Sequence, residues 1–179
     1  YAAKERPPVC VTYRRHNVCG MGPPSSGALT VGMTLKLLEP FDLGAVPLNP
    51  KALHLIAEAE KLAYADRDRY IADSDAVRVP EKGLIDPKYL DERRKWIDPD
   101  KAKGKAEAGA PPGTEIKKAG IDATIEAAGT SHVSIVDAAG NAVALTTTIE
   151  NAFGARIMAA GFLLNNELTD FSFRAKDAE

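Results

Sequence analysis

Gly129 and Thr130 share a peptide bond that a chain could cut in itself, because a residue without a side chain precedes a threonine that opens a strand pattern. Breaking that bond frees an α-amine beside a hydroxyl on one residue, which is the make-up of an N-terminal nucleophile. By itself the dipeptide is weak evidence, since Gly-Thr also makes ordinary turns. The residues after it carry more information. From Thr130 the pattern has period two, with Val133 and Ile135 on one face and His132, Ser134 and Val136 on the other. A second run, 141–148, returns after Ala138-Ala139-Gly140, a three-residue loop whose last position favours a left-handed glycine.

That loop puts Asp137 opposite Asn141. Counting outward, it puts Thr130 opposite Thr148, with Glu150 two residues further along the same face. A slip of one residue would undo the arrangement. The plainer alternative is a half-buried polar hairpin, threonine being a good strand former. A third strand is expected over 161–166, followed by Glu167 and Asp170. Acids just past a strand end either turn the chain or display binding groups.

The elements that must position these residues lie upstream. Residues 9–20 alternate around a polar turn and read as a hairpin. Cys10 and Cys19 flank its turn and are either bridged across it or free buried thiols. After Pro23-Pro24, a serine of Ser25-Ser26 caps a helix with Ala28, Val31, Leu35 and Leu38 on its apolar face, and Pro40 stops it. A longer helix spans about 50–73 with Leu55, Ile56, Ala59, Leu62, Ala63 and Tyr70 as its stripe. Its mixed charges read as a solvated face. A shorter helix follows Pro87 and carries Tyr89, Leu90 and Trp96. Residues 99–120 are poor in bulky apolar groups and rich in Lys, Ala, Gly and Pro, a composition that reads as a tether unable to order itself.

The 179 residues carry a net charge of −2, which gives no electrostatic case for nucleic acid. No apolar run is long enough for a membrane span. His16, His54 and His132 are scattered without metal-ligand spacing, and no cofactor motif stands out. With no initiator methionine, the chain reads as an internal piece of a longer protein.

Several motifs occur together and in order: Thr130-Ser131-His132-Val133-Ser134-Ile135-Val136-Asp137, Gly140-Asn141-Ala142-Val143, Phe153-Gly154, Gly161-Phe162-Leu163-Leu164-Asn165-Asn166 and Thr169-Asp170-Phe171-Ser172. With Cys19-Gly20-Met21, Pro23-Pro24-Ser25-Ser26-Gly27 and Ala63-Tyr64-Ala65-Asp66-Arg67 upstream, they resemble the gamma-glutamyltranspeptidase family. The resemblance implies an α+β fold, part of the αββα sandwich of N-terminal nucleophile hydrolases. It implies the end of a large-subunit region over 1–98, a flexible tether over 99–129, and the start of a small-subunit region over 130–179.

The scissile bond would be Gly129–Thr130, with Gly129 tolerating strained peptide geometry. Thr130 would be the nucleophile and Thr148 the threonine bonded to it. Asp170, assisted by Glu167 and Glu150, would hold the α-amino group of a gamma-glutamyl donor such as glutathione. The acyl group would pass through a threonine ester to water or an acceptor amine, with no cofactor or metal.

Many members carry asparagine at Glu150 and a small residue at Arg156, and the loop from Ile157 to Phe162 is short. Acylases of glutaryl side chains are therefore a second reading, and an uncleaved non-catalytic relative a third. The family's arginine for the substrate carboxylate and its oxyanion-hole residues fall outside this chain. The piece taken alone is thus expected to be inactive and largely uncleaved, needing the remaining parts of both subunits as partners. A periplasmic or secreted location follows from the family's habit.

Overall fold

The computed structural model describes residues 4–46, 48–114 and 129–167. It mixes helices and strands in two compact units, Tyr1–Ile121 and Asp122–Glu179.

In the first unit β1 (Pro8–Tyr13) and β2 (His16–Met21) form the expected hairpin. Cys10 faces Cys19 in its register, and a disulfide joins them. Three helices of two turns or more follow: α1 (Gly27–Leu38), α2 (Pro50–Tyr70) and, after the single turn α3 (Glu81–Leu84), α4 (Pro87–Arg94). Asn49 and Asp86 cap α2 and α4 by accepting from Ala52 N and Tyr89 N, each at 2.9 Å, with proline in each first turn. Ser26 occupies the N-cap position of α1 without a side-chain cap, which corrects the expectation for that serine. Its hydroxyl instead accepts from Arg67 Nε at 3.4 Å. Arg94 closes the other end of α1 by donating to the carbonyls of Lys36 and Leu37, a favourable place for a cation.

The core forms where α1 and α2 meet, around Leu29, Met33, Leu37, Leu55, Leu62, Leu84 and Leu90. The buried stripe of α1 is therefore Leu29, Met33 and Leu37; of the expected face Leu38 is buried, Ala28 and Leu35 are half-buried and Val31 is exposed. The reason is that α1 is covered on two sides. Gly32 admits the hairpin, since a Cβ there would already touch Val11 at 3.0 Å.

The charges of α2 are not all solvated. Glu58 and Asp66 are each 1% exposed and lie in the apolar stripe with Leu55, Ala59, Leu62 and Ala63. They meet residues 101–114, which lack regular structure but are laid down as a strap. A strap outside helix and sheet must find partners for its own backbone. Glu58 accepts from Lys103 N at 3.2 Å and Asp66 from Gly109 N at 2.7 Å. Asp66 also accepts from Tyr89 Oη at 2.7 Å and Arg93 Nη2 at 3.1 Å, while Arg93 reaches on to Glu107 O at 2.8 Å. Burial pushes the Asp66 carboxyl above its ordinary range, against the pull of Arg93. Burial first, then the Asp66 charge, push the Tyr89 hydroxyl up, so it remains a donor. The expectation of a tether unable to order itself thus fails for 101–114, where polar anchors and the buried Pro111 and Ala106 replace a bulky apolar stripe. Residues 115–128 lie outside the described residues.

At Gly109 a Cβ would stand 2.3 Å from Tyr89 Oη and 2.8 Å from Arg93 Cδ. Gly109→Ala should therefore cost about 1–3 kcal/mol by overpacking, read as a lower midpoint in denaturant unfolding. Gly104→Ala, with nothing within 4 Å of its Cβ, is the neutral control.

Candidate active site

The second unit begins with β3 (Thr130–Val136) and β4 (Ala142–Thr148), paired antiparallel with Thr130 opposite Thr148, His132 opposite Thr146 and Val136 opposite Ala142. This is the register the turn chemistry predicts. Gly140 is left-handed at φ 86°, and Asp137 Oδ1 accepts from Ala139 N and Asn141 N, each at 2.9 Å. The side-chain and backbone donors of Asn141, ahead of those of Ala139 and Gly140, hold the Asp137 carboxyl below the usual carboxylate range.

The outer end of the hairpin assembles the groups expected to react. Thr148 Oγ1 donates to the carbonyl of Gly129 at 3.1 Å and accepts from Glu150 N at 2.8 Å. The hydroxyl is thereby oriented, its lone pair engaged by one backbone group and its proton aimed at the Gly129–Thr130 carbonyl. Glu150 turns the chain here in the left-handed region, at φ 68°, an uncommon conformation for a residue with a side chain. The turn carries the Glu150 carbonyl against Gly129, where an added Cβ would lie 1.8 Å from that oxygen. Glycine is required by this approach; Gly129 itself is not left-handed.

Beyond Glu150, Asn151 N donates to Asn166 Oδ1 at 3.1 Å and Ala155 N to Leu164 O at 2.9 Å. Gly154 lies so close to Leu164 O that a Cβ would meet it at 2.0 Å. The segment after β4 is thereby tied to the segment carrying Glu167, whose N–H donates to Asn165 Oδ1 at 3.1 Å. The expected strand over 161–166 shortens to β6 (Phe162–Leu163), paired with β5 (Met158–Ala159). Left-handed residues at Gly154, Arg156, Ala160 and Gly161 bound β5 on both sides and turn the chain into β6.

Gly129, Thr130, Thr148 and Glu150 are thus brought together, with the expected bond from Thr148 to the Thr130 hydroxyl replaced by one to the Gly129 carbonyl, and Glu167 sits on the segment bound to theirs. Asp170 lies outside the described residues. Sequence reasoning missed two features. One is the Glu150 N–H behind the Thr148 hydroxyl, for which sequence carries no signal. The other is His132, with Nδ1 2.7 Å from Thr146 Oγ1 and Nε2 3.1 Å from Ser134 Oγ; the register count would have found it. Among the described residues no group of three His, Cys, Asp or Glu could hold a metal ion, and no helix is long and apolar enough to cross a membrane.

The family model described as Gamma-glutamyltranspeptidase matches residues 1–179. The chain is 41% identical to a glutathione hydrolase proenzyme of Escherichia coli over 96% of its own length and 29% of that protein's. It is 38% identical to an Acylase ACY 1 proenzyme of a Pseudomonas species, again over 96% of this chain and 29% of the relative. Among solved structures, the Helicobacter pylori gamma-glutamyltranspeptidase aligns at a TM-score of 0.56 and 34% identity, covering 63% of this chain and 32% of that one. The chain therefore spans under a third of the length of these relatives.

The hairpin's acid response follows from Asp137. Its folded pKa is lowered, so the turn's contribution is full above the ordinary value of about 3.9 and is lost as pH falls through the folded value. The amide NMR signals of Ala139 and Asn141 should hold their positions down to about pH 4 and shift together below it.

Proposed function

This chain belongs to the gamma-glutamyltranspeptidase family, and from that premise we propose that it is the junction region of a self-cleaving proenzyme. Cutting at Gly129–Thr130 makes Thr130 the nucleophile for gamma-glutamyl transfer from amides such as glutathione to water or an acceptor amine. The observation that carries this reading is the oriented Thr148 hydroxyl, 3.1 Å from the Gly129 carbonyl oxygen. In the uncut chain Thr130 Oγ attacks the Gly129 carbonyl carbon. Charge grows on the carbonyl oxygen, where the Thr148 donor stabilises it without reorganising. The C–N bond breaks as the nitrogen takes a proton, leaving an ester on Thr130 Oγ and a free α-amine, and water hydrolyses the ester. The freed amine, with an ordinary pKa of about 7.7–8.0, then serves as general base for its own hydroxyl.

In the second phase Thr130 Oγ attacks the gamma-carbonyl of the donor, expels the amine and holds the glutamyl group as an ester until water or an acceptor takes it. Asp170, with Glu167 and Glu150, holds the donor's α-ammonium, a charge-assisted pairing. The role rests on the family resemblance and, for Glu150 and Glu167, on the tie between their segments.

The surrounding sandwich is read from the family and from the hairpin itself. Val133, Ile135, Val143 and Leu145 are all exposed along one face of β3–β4, more apolar surface than a hairpin leaves in water. It would be covered by further strands and layers from the remaining parts of both subunits. The Cys10–Cys19 bridge supports a periplasmic or secreted location, since disulfides persist in oxidising compartments. A glutaryl-type acylase is the second reading, favoured by the Pseudomonas acylase relative. Its substrates lack the α-ammonium, so a panel of gamma-glutamyl and glutaryl anilides separates the two.

Self-cleavage is tested in the full-length protein by denaturing electrophoresis and N-terminal sequencing. The smaller band should begin at Thr130 and vanish in Thr130→Ala; a single uncut wild-type chain overturns the reading. Thr148→Val should slow cleavage about a hundredfold, the cost of one oxyanion donor, with the purified cut fraction still folded. Gly129→Ala should block cleavage outright, because its methyl group displaces the Glu150 carbonyl that the turn depends on, and time-resolved gels will read this.

A further inference from the structure

Three consecutive threonines, Thr146, Thr147 and Thr148, end β4, and each could stand opposite Thr130 in some register. A two-residue slip would bring Thr146 opposite Thr130 on the correct face. It would also keep an apolar partner for Val133, now Val143 instead of Leu145. The apolar pattern therefore fixes which face of β4 meets which face of β3, but selects poorly among these rungs. Only Thr148 is followed by the left-handed Glu150 whose N–H orients its hydroxyl. A threonine in the wrong rung would be present and useless.

We propose that His132 is the positioning residue that selects Thr148. Its imidazole occupies the rung next to Thr130–Thr148 on the same face, and both ring nitrogens are engaged, Nδ1 across the pair to Thr146 Oγ1 and Nε2 along its own strand to Ser134 Oγ. In the slipped register His132 would face Ala144, which has no polar side-chain atom, and the cross-strand bond is lost. The Asp137–Gly140 turn pins the hairpin at its closed end; His132 pins it at the open end, beside the bond to be cut. A single polar cross-strand contact that is forfeited in both registers that would bring Thr146 or Thr147 opposite Thr130, where His132 meets Ala144 or Leu145, is a known way to specify register. The inference rests on the proposed self-cleavage for its consequence, but not for its measurement.

The register is read by cysteine trapping in the full-length protein carrying Thr130→Ala, so that no cutting intervenes. Ser131→Cys with Thr147→Cys reports the observed register on the opposite face, and Ser131→Cys with Leu145→Cys reports the two-residue slip. His132→Val should lower native-rung bridging about tenfold and raise the slipped bridge, whereas His132→Asn, which keeps a polar atom within reach of Thr146, should return it to within about threefold. Thr146→Val should match His132→Val, and the double variant should add nothing further. With Thr130 restored, self-cleavage should slow in the same order across these variants. Equal bridging in His132→Val and its parent overturns the proposal, as does a His132→Asn variant no better than His132→Val. A register that shifts as stated in a protein that never cuts itself would support the lock while removing the functional reading.

Discussion

The proton of Thr148 points at the Gly129 carbonyl because two strands are held in one register and the chain turns left-handed immediately after the second. In the proposed self-cleavage every later step depends on that alignment. A side chain moved by one rung is displaced by several ångströms, whereas a hydrogen bond to a reacting oxygen tolerates a few tenths. The hairpin therefore carries register devices at both ends, an Asx-bonded glycine turn at Asp137–Asn141 and the His132–Thr146 contact at the other. The Glu150 turn adds the last element. Its N–H takes one of the two acceptor positions of the Thr148 hydroxyl, while the proton goes to the Gly129 carbonyl.

The helical unit solves a different problem with the same means. Residues 101–114 hold too little apolar surface to dock by the hydrophobic effect, and a backbone without helix or sheet leaves its N–H and C=O groups in need of partners. Burying Glu58 and Asp66 on α2 would be costly if they were alone. The strap and the carboxylates satisfy one another, with Tyr89 and Arg93 completing the Asp66 shell. The close approach of Gly109 to Tyr89 and Arg93 is the steric counterpart of that bond set.

These two regions also mark how far the sequence could be read. Turn chemistry at Gly140 gave the β3–β4 register rung by rung, because glycine and Asx preferences are local and strong. Of the helix limits, the start of α4 at Pro87 and the end of α1 before Pro40 were legible, while the serine cap expected for α1 does not form. What stayed hidden was non-local. The role of Glu58 and Asp66 depends on a strap more than thirty residues away in sequence; helical spacing puts them on the apolar face with Leu55 and Leu62, but their charge made them read as solvent-facing. The buried face of α1 was misread because Gly32 lets a second layer onto the helix. At the candidate site the residue types pointed to Gly129, Thr130 and Thr148, but the contact that orients Thr148 is a backbone N–H, which leaves no trace in sequence.

The two faces of β3–β4 differ in a way that bears on how a longer protein would use them. One carries Val133, Ile135, Val143 and Leu145, with Ser131 and Thr147 at its open end; the other carries Thr130, His132, Ser134, Thr146 and Thr148, with Val136 at its closed end. An antiparallel pair with such contrast belongs between a packed apolar layer and a polar, ligand-accessible one. The described residues of both faces are largely exposed, and the chain spans under a third of the relatives it matches. The polar face already holds an oriented hydroxyl and a glycine that no other residue can replace. Its geometry is thus set by local turns and cross-strand bonds within the hairpin, and a layer that shields it from water would strengthen a dipole already aimed at the carbonyl.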